Sequence, residues 1–315
     1  MLTRLCLLLI CALLFPGCMA ARLIPVKGPP KDLPAGVELV RFDGGLRVPA
    51  DPASGRVSLE GRLYPPLNSG DSAAETSGPG APPAPVVLFC HGVLDNNASP
   101  MARWFREAGY RVFMHDYRGF GASDPNAPAT VQGLIDDTVA TLAYLRARPD
   151  VDPSRVLIAG HSMGGTMALA AAAHAEASGQ PVRAVVALAA FSNWRIVLAD
   201  NVGPAGFLFG GTDAQNPSQA AAQLLRTPTL IVHAQDDSIV PVWHAHQLAR
   251  WNWSAGGRAQ LHILPTGEHV GAYLDYPSFR ATTLAWLHHH ARADFTPDPA
   301  ASEQTDARLR KAAGR

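Results

Sequence analysis

GHSMGG, residues 160–165, lies between the apolar run VLIA (156–159) and the alanine-rich stretch MALAAAA (167–173). The run reads as a buried strand and the stretch as a helix, so one serine stands between glycines at a strand-to-helix junction. Sterics explain the glycines. A sharp turn there holds the central residue in a strained backbone conformation with its hydroxyl exposed, and a Cβ on either flank would collide with the neighbouring strand and helix. The same turn aims the first N–H groups of the helix, including that of Met163, at whatever the serine attacks. Ser162 is thereby the candidate nucleophile. The bland alternative is a tight turn that merely needs small residues. A chain with 28 glycines in 315 residues can match Gly-x-Ser-x-Gly by chance, and the placement between strand and helix is what makes this match specific.

Working outward, short apolar runs recur: VVLFC from Val86, YRVFMHD from Tyr110, RVLIAG from Arg155, VRAVVALA from Val182, TLIVHA from Thr229 and AQLHILP from Ala259. Helix-length segments separate them. Strands that are apolar on both faces and alternate with helices predict an α/β fold, a mostly parallel sheet covered on both sides. The longest helical signal runs from Thr130 to Arg148, with Val131, Leu134, Ile135, Val139, Leu142 and Leu145 near the 3.6 period and a stop at Pro149. Before the parallel strands, alternating segments at 37–42 and 56–64 predict antiparallel strands at a sheet edge. Residues 68–85, NSGDSAAETSGPGAPPAP, lack the apolar surface to order themselves and read as a surface loop. The rhythm breaks again at 191–226, where Gly203, Pro204, Gly206, Gly210, Gly211 and Pro217 mark an insertion over one end of the sheet. Its apolar residues Phe191, Trp194, Ile196, Val197, Leu198, Phe207, Leu208 and Phe209 have two uses, a cap folded over an acyl chain or closure of the core beneath. One domain over 36–290 is expected, followed by a polar, disordered tail at 291–315.

Composition excludes some classes. With 26 basic and 26 acidic residues the chain has no net charge and so no electrostatic footprint for nucleic acid. At 47% hydrophobic it can bury a large single core. Residues 1–20 read as an export signal: Arg4, then an unbroken apolar run from Leu5 to Phe15, shorter than the roughly 20 residues that span a bilayer. Leu14, Phe15, Pro16, Gly17 and Cys18 resemble a bacterial lipobox, which implies lipidation of Cys18 and membrane attachment. Phe15 and Pro16 depart from the usual pattern, and cleavage near Ala20 to give a periplasmic or secreted protein is the alternative. A linker at 21–35 follows. Cys90 is then the sole cysteine of the mature domain and reads as a buried small hydrophobe. No histidine spacing suggests a metal site, and no cofactor is expected.

A serine hydroxyl needs a base to take its proton, and the base needs an acid to hold its tautomer. Downstream, HAQDDSIVP (233–241) puts Asp236 and Asp237 just past one apolar strand, and PTGEHVGAY (265–273) puts His269 in a glycine-containing loop past the next. Upstream, His91, Gly92 and Val93 follow the first parallel strand, where a second oxyanion donor is needed.

With HG at 91–92, DYRGFGASD at 116–124, GHSMGG, the DSIVP turn and the His269 loop, the chain resembles the α/β-hydrolases over residues 86–290. The spacing is most similar to monoacylglycerol-lipase-like and BEM46-like serine hydrolases. That resemblance implies Asp237 as the acid, with Asp236 left to a turn or cap role, and the amides of Val93 and Met163 as oxyanion donors. It implies hydrolysis of a small-molecule ester or related acyl bond through an acyl-enzyme, as in a carboxylesterase or lipase. Thioesterase, amidase and peptidase chemistry would use the same residues, and a non-catalytic binding protein on the same scaffold is the alternative of a different class. A dehalogenase would need a carboxylate where Ser162 stands.

Overall fold

The computed structural model describes residues 33–67, 85–204, 214–275 and 277–291. The expected signal segment with Cys18, residues 68–84 of the expected loop, Phe207, Leu208 and Phe209, and the tail from 292 onward lie outside the described residues.

Eight strands form one sheet: β1 Glu38–Leu46, β2 Arg56–Tyr64, β3 Val86–Cys90, β4 Arg111–His115, β5 Val156–His161, β6 Val185–Leu188, β7 Thr229–Ala234 and β8 Gln260–Leu264. Their order is β1-β2-β4-β3-β5-β6-β7-β8. The β1–β2 and β2–β4 pairs are antiparallel and the rest are parallel. Strand β1 runs past the predicted end because a register shift between Asp43 and Leu46 absorbs Gly44 and Gly45, which break the alternation.

The inner strands show why their sequences are apolar throughout. Val86, Leu88, Val156, Ile158, Val185 and Ala187 point into one core, while Val87, Phe89, Leu157, Ala159, Val186 and Leu188 point into a second on the opposite face. Each core is closed by helices. Helices α2 (Val131–Ala147), α3 (Met163–Ala177), α5 (Pro217–Gln223) and α6 (Trp243–Ser254) supply the first, through residues such as Leu134, Met167, Ala220 and Leu248. Helices α1 (Arg103–Glu107) and α7 (Pro277–Ala291) cover the second with Trp104, Phe105, Trp286 and Leu287. The alanines of α3 are buried almost all round, because this helix packs on the sheet and against its helical neighbours.

Within 191–226 the described residues include helix α4 (Trp194–Val202) and helix α5. Phe191, Trp194, Val197 and Leu198 belong to the first core. That placement is the core-closing use of these residues. Glu176, at the end of α3, receives the returning chain: its carboxylate accepts the amides of Leu225, Arg226 and Thr227 at 2.8–3.0 Å and the Thr227 hydroxyl at 2.6 Å.

At β3 the order of winding reverses, since β3 lies between β4 and β5. Loops that leave the carboxyl ends of β3 and β5 therefore diverge, and in open parallel sheets this is the place where ligands bind. Residues 91–99 leave from β3 and Ser162 from β5.

Candidate active site

Ser162 has φ 57° and ψ −123°, a left-handed conformation rare for a residue with a side chain. The turn around it leaves no room for flanking side chains. A Cβ on Gly160 would lie 2.2 Å from the carbonyl oxygen of Gly164, and one on Gly164 would lie 2.0 Å from that of Cys90. Gly165 is less confined, its nearest neighbour being the Ala190 methyl at 3.0 Å. The amide of Ser162 is tied to the carbonyl of Leu188 on β6 at 2.8 Å, which pins the turn to the sheet. Met163 then opens α3.

The chain after β3 approaches the same turn. A Cβ on Gly92 would sit 3.7 Å from the Cβ of Ser162 and 3.5 Å from His161 Nδ1. Val93 follows, mostly buried. Among the described residues no acceptor is paired with the amide of Val93 or of Met163. The rest of the loop is held from below: Asp116 Oδ1 accepts the Asn97 amide at 2.8 Å, and its Oδ2 accepts that of Ala122 at 3.2 Å. Burial raises the Asp116 carboxyl above the ordinary carboxylate range. Arg118, next along, makes a two-pronged pair with Asp137 of α2 at 2.7 and 2.9 Å, both fully buried, and its Nη1 donates to the carbonyl of Leu46. These residues fix loops.

Past β7, Asp237 is buried and the neighbouring Asp236 is exposed. Asp237 Oδ1 accepts the amides of Ile239 and Val240 at 3.0 and 2.8 Å. Its Oδ2 lies 2.7 Å from His269 Nδ1 and 3.4 Å from His233 Nε2. Burial pushes this carboxyl up, but the bonds from His233, His269 and the Val240 amide outweigh it and leave the group well below its ordinary range. Asp237 is therefore an anion, and His269 carries its Nδ1 proton toward it.

His161 joins the serine turn to the histidine loop. Its Nε2 donates to the carbonyl of His269 at 2.7 Å, and the two imidazole rings lie 4.7 Å apart. Burial, then the nearby His269, hold its pKa down at about 3, so it is a neutral donor at working pH. From the sequence, His161 beside Ser162 reads equally as pocket lining or as packing. Its partner is a backbone carbonyl 108 residues away, which no local pattern reveals. Sequence reasoning also missed His233, whose Nε2 donates to the Val240 carbonyl at 2.7 Å, and a cluster in which buried Ser192 and His244 meet the exposed Asp200. Only the i, i+4 spacing of His233 and Asp237 carried any signal.

Among the described residues no cluster of His, Cys, Asp or Glu is arranged to hold a metal. Cys90 is buried, with its thiol pushed far up by burial, which suits a packed hydrophobe.

The strand order, the strained serine turn and the acid and histidine loops define an α/β-hydrolase-fold protein, and the class is that of serine hydrolases. The chain belongs to the prolyl oligopeptidase family, which it matches over residues 96–294. It is 28% identical to the protein YfhR of Escherichia coli over 202 residues, covering 64% of this chain and 68% of that protein. To human Protein ABHD12B it is 29% identical over 224 residues, 64% of this chain and 60% of the relative. Among solved structures, an esterase of Pyrococcus furiosus superposes with a TM-score of 0.61 at 16% identity, covering 84% of this chain and 97% of the esterase. The acylaminoacyl peptidase of Pyrococcus horikoshii superposes with the same TM-score at 17% identity, but this chain spans only 44% of that protein.

Proposed function

We propose that the protein is a carboxylic ester hydrolase with Ser162 as nucleophile, His269 as general base and acid, Asp237 as the carboxylate that orients His269, and the amides of Val93 and Met163 as oxyanion donors. The observation that carries this reading is the 2.7 Å Asp237–His269 bond, on a loop tied through His161 to the turn that holds Ser162 at positive φ. With Nδ1 committed to Asp237, the base nitrogen left for the serine proton is Nε2. Ser162 Oγ attacks the ester carbonyl as His269 takes its proton, and the C–O bond to the alcohol breaks as His269 returns that proton to the leaving oxygen. Water then adds to the acyl-enzyme by the same transfers, releasing the acid and free Ser162. Two backbone amides aimed at the developing oxyanion stabilise both tetrahedral states.

The esterase that superposes on this chain over 97% of its own length supports the ester reading. Family membership keeps amide or peptide cleavage as the second reading. Labelling by a fluorophosphonate probe, with the tagged peptide located by mass spectrometry, tests the nucleophile directly. A panel of p-nitrophenyl esters of increasing chain length, run beside thioester and aminoacyl substrates, tests the leaving group. A label anywhere but Ser162 would overturn the assignment, and no label at all would favour a binding protein. We also propose export directed by residues 1–20, with Cys18 as the lipid attachment point. Among the described residues no helix is long and apolar enough to cross a membrane. If Cys18 is acylated, Cys18→Ser releases the protein from the membrane fraction; a wild type already soluble after export supports cleavage near Ala20 instead.

A further inference from the structure

Helix α4 touches the acid loop at two places that the triad does not use. Asn201, in its last turn, donates from Nδ2 to the carbonyl of Val197 at 2.7 Å and to that of Ile239 at 2.9 Å. Ile239 is itself a ligand of the acid, since its N–H holds Asp237 Oδ1 at 3.0 Å. One residue earlier on α4, Asp200 Oδ2 accepts from His244 Nε2 at 3.0 Å. His244 lies in the first turn of α6, just beyond the Asp237 turn, and is fully buried.

On the other side of its ring, His244 Nδ1 accepts the amide of Ser192 at 3.1 Å, with Ser192 Oγ at 2.8 Å. Serine, histidine and aspartate are thus in line, as in a second triad. Two facts argue against catalysis there. Ser192 is 3% exposed, out of reach of a substrate. The Nδ1 lone pair that would take the serine proton already holds a backbone N–H, which also places the ring proton on Nε2 facing Asp200. The cluster is a clamp, built from a neutral imidazole between two chain segments.

We propose that α4 is a positioning element for the catalytic acid: Asn201, and the Asp200–His244 pair beside it, lock the 237–244 turn so that Asp237 Oδ2 stays on His269 Nδ1. This rests on Asp237 being the catalytic acid. Asn201 and Asp200 are positioning residues, and their effect reaches the chemistry through the Ile239 peptide and the start of α6. The first helix of the 191–226 segment thereby has a role in turnover separate from any contact with substrate.

The test compares Asn201→Ala, Asp200→Ala, Asp200→Asn and Asp237→Ala on one p-nitrophenyl ester, with folded enzyme counted by circular dichroism. Asn201→Ala is expected to lower kcat about tenfold with KM within about twofold, a loss smaller than the ~10² that a misplacement of about 1 Å costs. Asp200→Ala moves in the same direction. Asp200→Asn keeps near wild-type kcat, because its amide oxygen still accepts His244 Nε2–H. In proton NMR the Nδ1 proton of His269, deshielded by its short bond to Asp237, shifts or broadens in Asn201→Ala and stays in place in Asp200→Asn. Asn201→Ser, too short to reach Ile239, is measured alongside and carries the same expectation should Asn201→Ala not fold. If Asn201 and Asp200 variants keep kcat within twofold and the His269 resonance does not move, while Asp237→Ala is inactive, the clamp is overturned and the triad stands. An active Asp237→Ala overturns the triad, and the clamp with it.

Discussion

Ser162 sits where the backbone tolerates a side chain only under strain, at φ 57°, and residues 160 and 164, two positions to either side, are glycine because the packing admits nothing larger. Replacing Ser162 by Ala keeps the Cβ and removes the proposed nucleophile, so ester turnover should fall by about 10⁶ with the melting temperature unchanged. Loss of only a few-fold in a steady-state assay would place the nucleophile elsewhere. Asp237→Asn should cost about 10⁴, as the amide favours the wrong His269 tautomer, whereas Asp236→Asn at an exposed site should cost little. The reverse ranking would move the acid by one residue. Gly164→Ala introduces a methyl 2.0 Å from a backbone carbonyl that cannot yield, so destabilisation at or above the ~1–3 kcal/mol usual for overpacking is expected. Gly165→Ala meets only a methyl at 3.0 Å and should melt closer to wild type.

At the scale of elements, two buried contacts decide how loops reach the site. Arg118 and Asp137 tie the loop after β4 to helix α2 and to the end of β1, and both are fully buried. Asp137→Ala would leave the guanidinium without its counter-charge in the interior, and a loss of about 3–5 kcal/mol in urea unfolding is expected. The glycine inside α2 belongs to the same contact: a Cβ on Gly133 would lie 2.7 Å from Arg118 Nη1. Helix α4 presents Val197 and Leu198 to the core, both fully buried. Leu198→Ala should therefore cost about 2–5 kcal/mol and leave acyl-length preference alone. A shifted chain-length profile with unchanged stability would instead make this face part of the substrate pocket.

Over the whole molecule the buried histidines set the acid limit. His115, His161, His244 and His290 each have a pKa lowered to about 3, with burial the largest cause. In the unfolded chain they titrate near the ordinary value of about 6.5. Below that pH the unfolded state takes up protons that the folded state refuses, so stability falls as pH drops from about 6.5 toward about 3. Each histidine adds up to about 1.4 kcal/mol per pH unit to the slope. Asp237 acts lower down: its folded pKa is depressed, so its contribution is complete above the unfolded carboxylate value of about 3.9 and is lost as pH falls through the folded one. Thermal melts from pH 8 to 4 should show a plateau near neutrality and a steep decline below about 6.5. A flat profile to about pH 5 would mean these histidines are protonated without cost.

The sequence by itself determined what depends on local pattern. Apolar runs such as VLIA and TLIVHA are strands because both sheet faces are covered, Thr130 to Arg148 is bounded as a helix by its cap and by Pro149, and GHSMGG is a turn whose glycines answer to the nearest strand and helix. The chain order of Ser162, Asp237 and His269, the residues proposed as nucleophile, acid and base, was legible for the same reason, since each follows an apolar strand. Only the tertiary structure shows that Asp237 and not Asp236 meets His269, because adjacent residues leave a strand end in different directions and one alone is buried there. It also decided that the apolar residues of α4 close the core, and that His161, His244 and Asn201 bind partners 108, 52 and 38 residues away. Those contacts leave no periodic trace. A hydrogen bond between distant loops constrains one residue at each end, and which end meets which is settled by the packing of the whole sheet and its helices.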